Sequence, residues 1–258
     1  IELKKIALDR GLLMMGPDCG TAIINGKPLC FANRVRQGDI GVVAASGSGL
    51  QEVTCCIHKM SAGISQALGT GGRDLKDPRV GGLMMKMGIQ ALSGDEVTRV
   101  IVVISKPPAP GLAEDVISRL KKTDKPCVIC FLGQRKRPPE ENLWFAESLE
   151  ETARLAVKLS GGEPGNQDAF IISPEEIKHI AAREIKRMDR SQRYLRGLYT
   201  GGTLADEAIF GFEWQGVEIY SNIQPNQDFL LKDPQVSRKH TIIDLGDDTF
   251  TVGRPHPM

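Results

Sequence analysis

Short apolar segments alternate with segments of helical periodicity along most of the chain. The apolar segments are bounded by glycine or proline, as buried strands commonly are. Strands are predicted at 40–45, 64–68, 99–105 and 127–132, and helices at 50–60, 82–92, 112–121 and 142–159. This alternation predicts βαβ units around a parallel sheet, and right-handed crossovers make a doubly wound α/β domain the simplest topology.

The C-terminal part of the chain repeats part of this pattern. After a glycine- and proline-rich linker at 160–165, Ser173 and Pro174 form a helix start, and strands are predicted at 194–199 and 240–245, with a helix at 204–210 between them. Segment 46–52 (SGSGLQE) aligns with segment 200–206 (TGGTLAD), which indicates an internal duplication. A unit of two parallel strands cannot bury both faces. We therefore expect residues to be missing after Met258 and before Ile1.

Composition excludes several classes of protein. The chain has 258 residues, 41% of them hydrophobic and 25% charged, with a formal net charge of +1. This composition is globular, and the near-neutral charge argues against a non-specific nucleic-acid binder. The sequence has no apolar run long enough to span a membrane, and no secretory signal is expected. A soluble, cytoplasmic protein is the expectation.

Cys127 and Cys130 have the CxxC spacing of redox and zinc sites. They lie inside an apolar segment, and no second CxxC or paired histidine completes a tetrahedral site. Two buried core cysteines are therefore predicted, and no metal site.

Two glycine-rich turns are the best candidate anion sites. Each follows a predicted strand and enters a helix, where unpaired backbone N–H groups face the positive end of the helix dipole. Such turns suit phosphate or carboxylate, although tight turns with ordinary N-caps would have the same pattern. The residues are Ser46, Gly47, Ser48 and Gly49 in the first turn, and Thr200, Gly201, Gly202 and Thr203 in the second.

Three further segments carry candidate chemistry. In segment 69–74, Gly71 and Gly72 give the backbone freedom and Arg73 supplies a fixed positive charge for an anion. Cys19 lies in a tight turn at 16–20. This turn would either present the thiol to a ligand or have a purely structural role. His256 lies in a rigid loop near Asp247 and Arg254, and this cluster suggests a catalytic or ligand-binding role.

Segments 13–20 (LMMGPDCG), 41–49 (GVVAASGSG) and 69–74 (GTGGRD) resemble the α-subunit of succinyl-CoA synthetase and the NDP-forming acyl-CoA synthetases. Segments 199–204 and 247–258 are also similar to the FdrA-type branch of this superfamily. The resemblance implies tandem flavodoxin-like CoA-ligase domains, preceded by the end of a Rossmann-like CoA-binding domain. Its implied boundaries are 1–35 for the CoA-binding part, 36–165 for the first ligase domain, and 166–258 for the linker helix and an incomplete second one.

The resemblance also implies roles for individual residues. Cys19 would lie near the CoA thiol, and the two glycine turns would be paired helix N-termini that hold phosphate. CoA, ATP or ADP, and phosphate are the implied cofactors and ligands, and a homo-oligomer or a partner subunit is expected.

Two departures from the family pattern bear on mechanism. Succinyl-CoA synthetases carry phosphate on a histidine in a Gly-His-Ala-Gly loop after the fourth strand, whereas segment 131–139 here contains no histidine. The acidic residue that steadies the phosphohistidine is replaced by segment 105–108, Ser-Lys-Pro-Pro. With these departures, the resemblance implies acyl-CoA synthetase-like chemistry on phosphate or an acyl phosphate without a phosphohistidine.

Two alternatives remain open from the sequence. FdrA-type proteins are associated with purine and allantoin breakdown, which implies a carbamoyltransferase component acting on oxamate or oxalurate through carbamoyl phosphate. A non-catalytic subunit that keeps the fold is the other.

Overall fold

A computed structural model describes residues 2–16, 19–165 and 172–254, and its strands form one seven-stranded and one three-stranded sheet. In chain order the elements are α1 (Glu2–Asp9), β1 (Thr21–Ile24), β2 (Lys27–Cys30), β3 (Gln37–Ala45), α2 (Gly47–Lys59), β4 (Ile64–Gly69), α3 (Leu83–Gly94), β5 (Val100–Ser105), α4 (Leu112–Leu120), β6 (Cys127–Phe131), β7 (Leu143–Phe145), α5 (Leu149–Leu159), α6 (Pro174–Ile185), β8 (Arg196–Tyr199), α7 (Gly202–Glu213), β9 (Tyr220–Ser221), β10 (Thr241–Asp244) and α8 (Asp248–Thr251).

The large sheet confirms the predicted α/β class with a mostly parallel sheet. Its strand order is β2-β1-β4-β3-β5-β6-β7, and the five strands from β4 to β7 are parallel. Counted from β3, this is the order 2-1-3-4-5 of flavodoxin-like doubly wound sheets. The chain therefore reverses its direction across the sheet between β3 and β5.

Apolar side chains cover both faces of this sheet. Every residue of β5 and β6 is buried, as expected for central strands of a parallel sheet. Helices α2 and α5 pack together on one face, and α3 and α4 pack together on the other. The loops after β3 and β5 therefore lead to opposite faces and leave a crevice between them.

The N-terminal part of the chain contributes an antiparallel hairpin that the sequence pattern did not predict. Asn25 and Gly26, both with positive φ, form the turn between β1 and β2, a typical hairpin signal. Strand β1 also pairs with β4, so residues 21–30 extend the sheet of the following unit. The domain boundary placed at residue 35 stays a prediction.

The helix predicted at 142–159 is wrong over its first residues. Leu143–Phe145 is instead strand β7, which pairs in parallel with β6. The Asn142 side-chain amide donates to three backbone carbonyls, among them that of Thr123 at 2.8 Å, and this anchors the start of the strand. Helix α5 begins only after Ser148, whose hydroxyl accepts a hydrogen bond from the backbone N–H of Glu151.

The second sheet has three strands, whereas the sequence predicted two. Its order is β8-β10-β9, all parallel, and the unpredicted strand is the two-residue β9. A segment that short has no periodicity to detect. Ser173 caps α6 and Pro174 is its first residue, as predicted.

Cys127 and Cys130 are core residues, as predicted. Both are fully buried, and burial raises the pKa of Cys127 to about 11 and that of Cys130 to about 12. Thiols held protonated in this way are poor nucleophiles. Over the described ranges, no helix combines the length and apolarity needed to cross a bilayer.

Candidate functional site

The two glycine turns of the sequence lie against each other in the structure. Ser46 follows β3 and caps α2, accepting a hydrogen bond from the Gly49 backbone N–H at 3.0 Å. Helix α7 begins after β8 with Gly201 as its N-cap residue. The hydroxyl oxygens of Ser46 and Thr203 are 2.6 Å apart, in a buried hydrogen bond. The N-termini of α2 and α7 therefore meet.

Glycine permits this close approach. A Cβ added at Gly201 would lie 2.9 Å from the Cβ of Ser48, and one added at Gly49 would lie 3.1 Å from the Cγ2 of Thr203. Such contacts would force the two helices apart. Gly47 differs, since its nearest neighbour would be 3.8 Å away. It leaves the backbone of the first α2 turn open to the cavity beside it.

A cavity of about 650 Å³ opens where the two helices begin. It lies at the carboxyl ends of β3 and β5, the point where the strand order reverses and where ligands bind in open α/β sheets. The lining residues come from both helix N-termini, the loop after β4 and the loop after β5: Ala45, Ser46, Gly47, Ser48, Gly72, Arg73, Lys76, Asp77, Pro78, Arg79, Lys106, Gly202 and Thr203.

Four of these lining residues are cations. Arg79 is paired with Asp77, whose carboxylate accepts from the Arg79 guanidinium and therefore has its pKa lowered to about 2. Across the described part of the chain, neither Arg73 nor Lys76 forms an ion pair, so their charges are available to a ligand. The two helix dipoles add further positive potential.

A buried aspartate fixes the loop that carries Arg73. The Asp74 carboxylate accepts from the backbone N–H groups of Met84 and Met85 at the start of α3 and pairs with Lys4 at 3.6 Å. Gly71, with φ of 87°, makes the turn before it. The loop is thereby held while Arg73, one residue earlier, is exposed at the cavity.

Lys106 reaches the cavity from the end of β5 and pairs with Asp206 of α7 at 3.1 Å. Asp206 is buried, and desolvation raises its pKa above the usual range although Lys106 opposes the shift. Asp244, at the end of β10, is also buried and accepts from the Gly246 backbone N–H at 2.9 Å. Two carboxylates therefore stand behind the lysine.

The structure brings seven of the fourteen predicted site residues to one cavity. Ser46, Gly47, Ser48, Gly72, Arg73, Gly202 and Thr203 line the cavity. Gly49 and Gly71 do not line it; Gly49 lies against Ser46 and Thr203, and Gly71 forms the turn before Gly72. Thr200 and Gly201 face away, and line a smaller cavity of about 260 Å³ on the opposite side of the α2–α7 contact, where Ser48 also takes part.

The other predicted residues do not line the cavity. Cys19 packs against Gly69 at the end of β4, leaving no space there for a Cβ. The Asp247 carboxylate caps α8, accepting from the Thr249 backbone N–H at 2.9 Å. His256 lies outside the described residues. Catalytic roles for Asp247, His256 and Arg73 stay predictions.

Sequence reasoning missed four charged residues, Lys76, Lys106, Asp206 and Asp244. Two of them carried a usable signal, since Lys106 directly follows β5 and Asp244 ends β10. The carboxyl ends of parallel strands meet at one edge of a sheet. Of the histidines in the described ranges, His58, His179 and His240, none lines the cavity.

Several known proteins are similar in sequence to this chain. The uncharacterized protein YahF of Escherichia coli strain K12 is 49% identical over 259 residues, which is all of this chain and 49% of YahF. The mitochondrial succinate–CoA ligase [ADP-forming] subunit alpha-2 of Trichomonas vaginalis is 27% identical over 199 residues, covering 70% of this chain and 62% of that subunit. Subunits of ADP-forming sulfoacetate-CoA and succinate–CoA ligases match at 25–27% identity. Of these relatives, those with a named activity are subunits of CoA ligases.

No protein-family model matches the chain. The dinucleotide-forming acetyl-coenzyme A synthetase 1 of Ca. Korarchaeum cryptofilum, solved with phosphate and ADP, superposes with a TM-score of 0.40 at 19% identity, covering 84% of this chain and 46% of that one. The chain spans about half the length of the curated relatives it matches.

Proposed function

We propose that the cavity binds a phosphoryl group, as inorganic phosphate or an acyl phosphate, and that the protein takes part in acyl-CoA ligase chemistry without a phosphohistidine. The observation that carries this proposal is the contact between the α2 and α7 N-termini, where the Ser46 and Thr203 hydroxyls are 2.6 Å apart. The first residues of both helices line one cavity, and the N–H groups of a first helical turn have no partner within the helix. An anion is the ligand that such a pair of helix ends favours.

Charge and space agree with a phosphoryl ligand. Arg73 offers a planar guanidinium for two oxygens, and Lys76 and Lys106 offer point charges from other directions. The open backbone at Gly47 lets an oxygen approach the first turn of α2 closely. The site therefore has donors on several sides, as a tetrahedral oxyanion requires.

The ligase relatives suggest what the phosphoryl group does. CoA, when bound, would supply the thiol that exchanges an acyl group with phosphate. Cys19 lies against the end of β4, next to β3 in the sheet, and so stands at the same edge as the cavity. This position supports the proposal that the thiol of CoA binds near Cys19. Since several of the relatives are named as subunits, we also propose that the chain works with a partner subunit.

The first test is calorimetric titration with phosphate and with acetyl phosphate. We expect saturable binding that Arg73→Gln weakens by about tenfold or more, because losing a charge-assisted hydrogen bond costs about 1.5–3 kcal/mol. Lys122→Met, in a separate cavity between α3 and α4, is the matched control and should leave binding unchanged. Absence of binding, or equal effects of the two substitutions, would refute the assignment.

A carbamoyltransferase component is the second candidate, favoured by a cavity that no described histidine lines. Such a site suits a preformed carbamoyl phosphate. Incubation with oxalurate and phosphate would then yield oxamate and carbamoyl phosphate, with the carbamoyl group passing from nitrogen to a phosphate oxygen. Formation of an acyl phosphate from an acyl-CoA, without this reaction, favours the ligase. Phosphate binding with neither reaction, in the presence of candidate partner subunits, favours a non-catalytic subunit.

A further inference from the structure

Two buried carboxylates and one ammonium group stand together behind the first turn of α7. The Nζ of Lys106 lies 3.1 Å from an Asp206 oxygen, and the Asp206 side chain is 9% exposed. Asp244 approaches the same ammonium, because its Oδ2 and the Lys106 Nζ would both lie 2.5 Å from a Cβ added at Gly202. The cluster therefore places two carboxyl groups beside one ammonium group.

Three charged groups act on Asp206 from different parts of the fold. Lys106 follows β5, Asp244 ends β10, and Lys76 acts from the loop after β4. Asp244 has a second partner, the backbone N–H of Gly246. Asp206 depends on Lys106 for its ion pair. An anion that draws the Lys106 ammonium into the cavity would therefore leave Asp206 as the uncompensated buried charge.

We propose that entry of a doubly charged oxyanion into the cavity is coupled to uptake of a proton by Asp206. The proposal rests on the proposed function, since it requires an anion in the cavity. One Asp206 oxygen takes a proton from solvent, Lys106 turns its charge to the anion, and no covalent bond to the ligand changes. Asp206 does not line the cavity, so it acts through Lys106 as a positioning residue.

The electrostatics of the resting site support this coupling. Burial raises the pKa of Asp206, Lys106 and Lys76 lower it, and the neighbouring Asp244 raises it further. The carboxylate is thus already displaced toward its neutral form. Protonation of Asp206 is favoured both when the Lys106 ammonium turns away from it and when a doubly charged anion enters the cavity.

Calorimetric titration with sulfate tests the coupling. Sulfate keeps its two charges over the working pH range, so a proton taken up on binding is bound by the protein. Titrations in two buffers of different ionisation enthalpy give the number of protons. The wild type is expected to take up as much as one proton per sulfate, and its affinity is expected to rise as pH falls, by up to about tenfold per pH unit.

Substitutions separate this coupling from a structural role. Asp206→Asn should abolish the proton uptake, flatten the pH profile and bind sulfate more tightly than the wild type at neutral pH. Asp206→Glu should restore the uptake. Asp115→Asn removes a carboxylate paired with Lys86 outside the cavity and is the matched control, expected to behave as the wild type. Thermal unfolding of each variant verifies folding.

Each outcome of these titrations either supports or overturns the coupling. Equal proton uptake by wild type and Asp206→Asn, or none by the wild type while it binds sulfate, overturns the inference. If the wild type binds neither phosphate nor sulfate, the proposed function fails. In that case the inference fails with it, whereas anion binding by the wild type with unchanged proton uptake in Asp206→Asn overturns the inference alone.

Discussion

At the scale of single residues, the site depends on glycines whose missing side chains let two helices meet. Gly201 faces Ser48, and Gly49 faces Thr203, at distances that no Cβ tolerates without movement. The hydroxyl pair Ser46–Thr203 closes the same contact. Substitutions at these positions should therefore change both stability and anion binding.

Gly201→Val should destabilise the fold by about 1–3 kcal/mol, the usual cost of overpacking, and should abolish phosphate binding by moving α7 away from α2. Denaturant unfolding and calorimetry measure the two effects. Gly211→Ala in the same helix is the control, because a Cβ there meets nothing within 4 Å. That change should stabilise the helix by about 0.5–1 kcal/mol and leave phosphate affinity unaltered. Retained affinity in Gly201→Val would contradict the site.

Ser46→Ala should lower stability by about 1 kcal/mol through loss of the N-cap, and should also weaken phosphate binding, because the hydroxyl at the α2–α7 contact is lost. Ser148→Ala removes an equivalent cap from α5, away from the cavity. It should cost similar stability and leave binding intact. Equal losses of phosphate affinity in the two variants would count against a local role for Ser46.

The raised pKa of the buried Glu207 carboxyl predicts that the stability of the fold depends on pH. Its carboxylate accepts from the Leu149 backbone N–H at 2.7 Å, yet burial, with Glu52 and Glu150 nearby, raises its pKa in the folded protein. A carboxyl with a raised folded-state pKa favours folding while it is protonated, and this advantage is lost as pH rises through the raised pKa.

Glu207→Gln keeps the size and an acceptor oxygen, so its melting temperature should exceed that of the wild type at neutral pH, and the difference should vanish in acid. Thermal unfolding over a pH series measures this. The exposed Glu163→Gln should show no such trend. A variant less stable than wild type at neutral pH would mean that the carboxylate hydrogen bond outweighs desolvation.

At the scale of elements, α1 is tied to the loop that carries Arg73. The Lys4–Asp74 ion pair has side chains 6% and 0% exposed, so loss of one partner leaves a buried charge. Lys4→Met should destabilise the protein by about 3 kcal/mol and loosen the Arg73 loop. Urea unfolding measures the first effect and hydrogen exchange of residues 71–74 the second. Lys5→Met, at an exposed neighbour, should be neutral.

Element patterns in the sequence predicted the parallel strands well and the irregular parts poorly. Strands β5 and β6 and the second half of β3 are continuous apolar segments, and β4 is mostly buried, so burial on both sides determined their placement. Strand β7 was absorbed into a helix because Leu143–Phe145 leads without a glycine or proline into the amphipathic α5. Hairpin β1–β2 and strand β9 are too short for periodicity, although Asn25-Gly26 carried a turn signal.

The candidate site was predicted in the same uneven way. The two glycine turns could be predicted, because a glycine turn between a strand and a helix has a recognisable composition. Residues of both turns line one cavity. Side-chain charges were not accessible in the same way. Lys106 and Asp206 are 100 residues apart, and only the docking of α7 on the large sheet pairs them.

At the scale of the whole molecule, α7 joins the small sheet to the large one. Phe210 packs over Gly133, whose φ is 80°, and Arg135 lies 4.4 Å from the centre of the Trp214 ring. Glu207 reaches the start of α5. The cavity is thus a product of both units, and its affinity depends on contacts at the far end of α7.

Phe210→Ala should therefore weaken phosphate binding although Phe210 does not line the cavity. Loss of its packing on the large sheet should cost about 3 kcal/mol and let α7 shift. Saturating phosphate should recover part of this stability, about 2.7 kcal/mol at one hundred times the dissociation constant. Thermal unfolding with and without phosphate measures both. Unchanged affinity in Phe210→Ala would show that the α2–α7 contact holds without its distal support.

The close contact between Ser48 and Gly201 leaves a fixed volume for the side chains at these two positions. A larger side chain at one of these positions requires a smaller one at the other. We therefore expect Ser48→Gly, and no distant change, to rescue Gly201→Ala. Substitutions at positions 48 and 201 should therefore occur in compensated pairs. Proteins with the same helix contact should carry the larger residue on one helix or the other, and not on both.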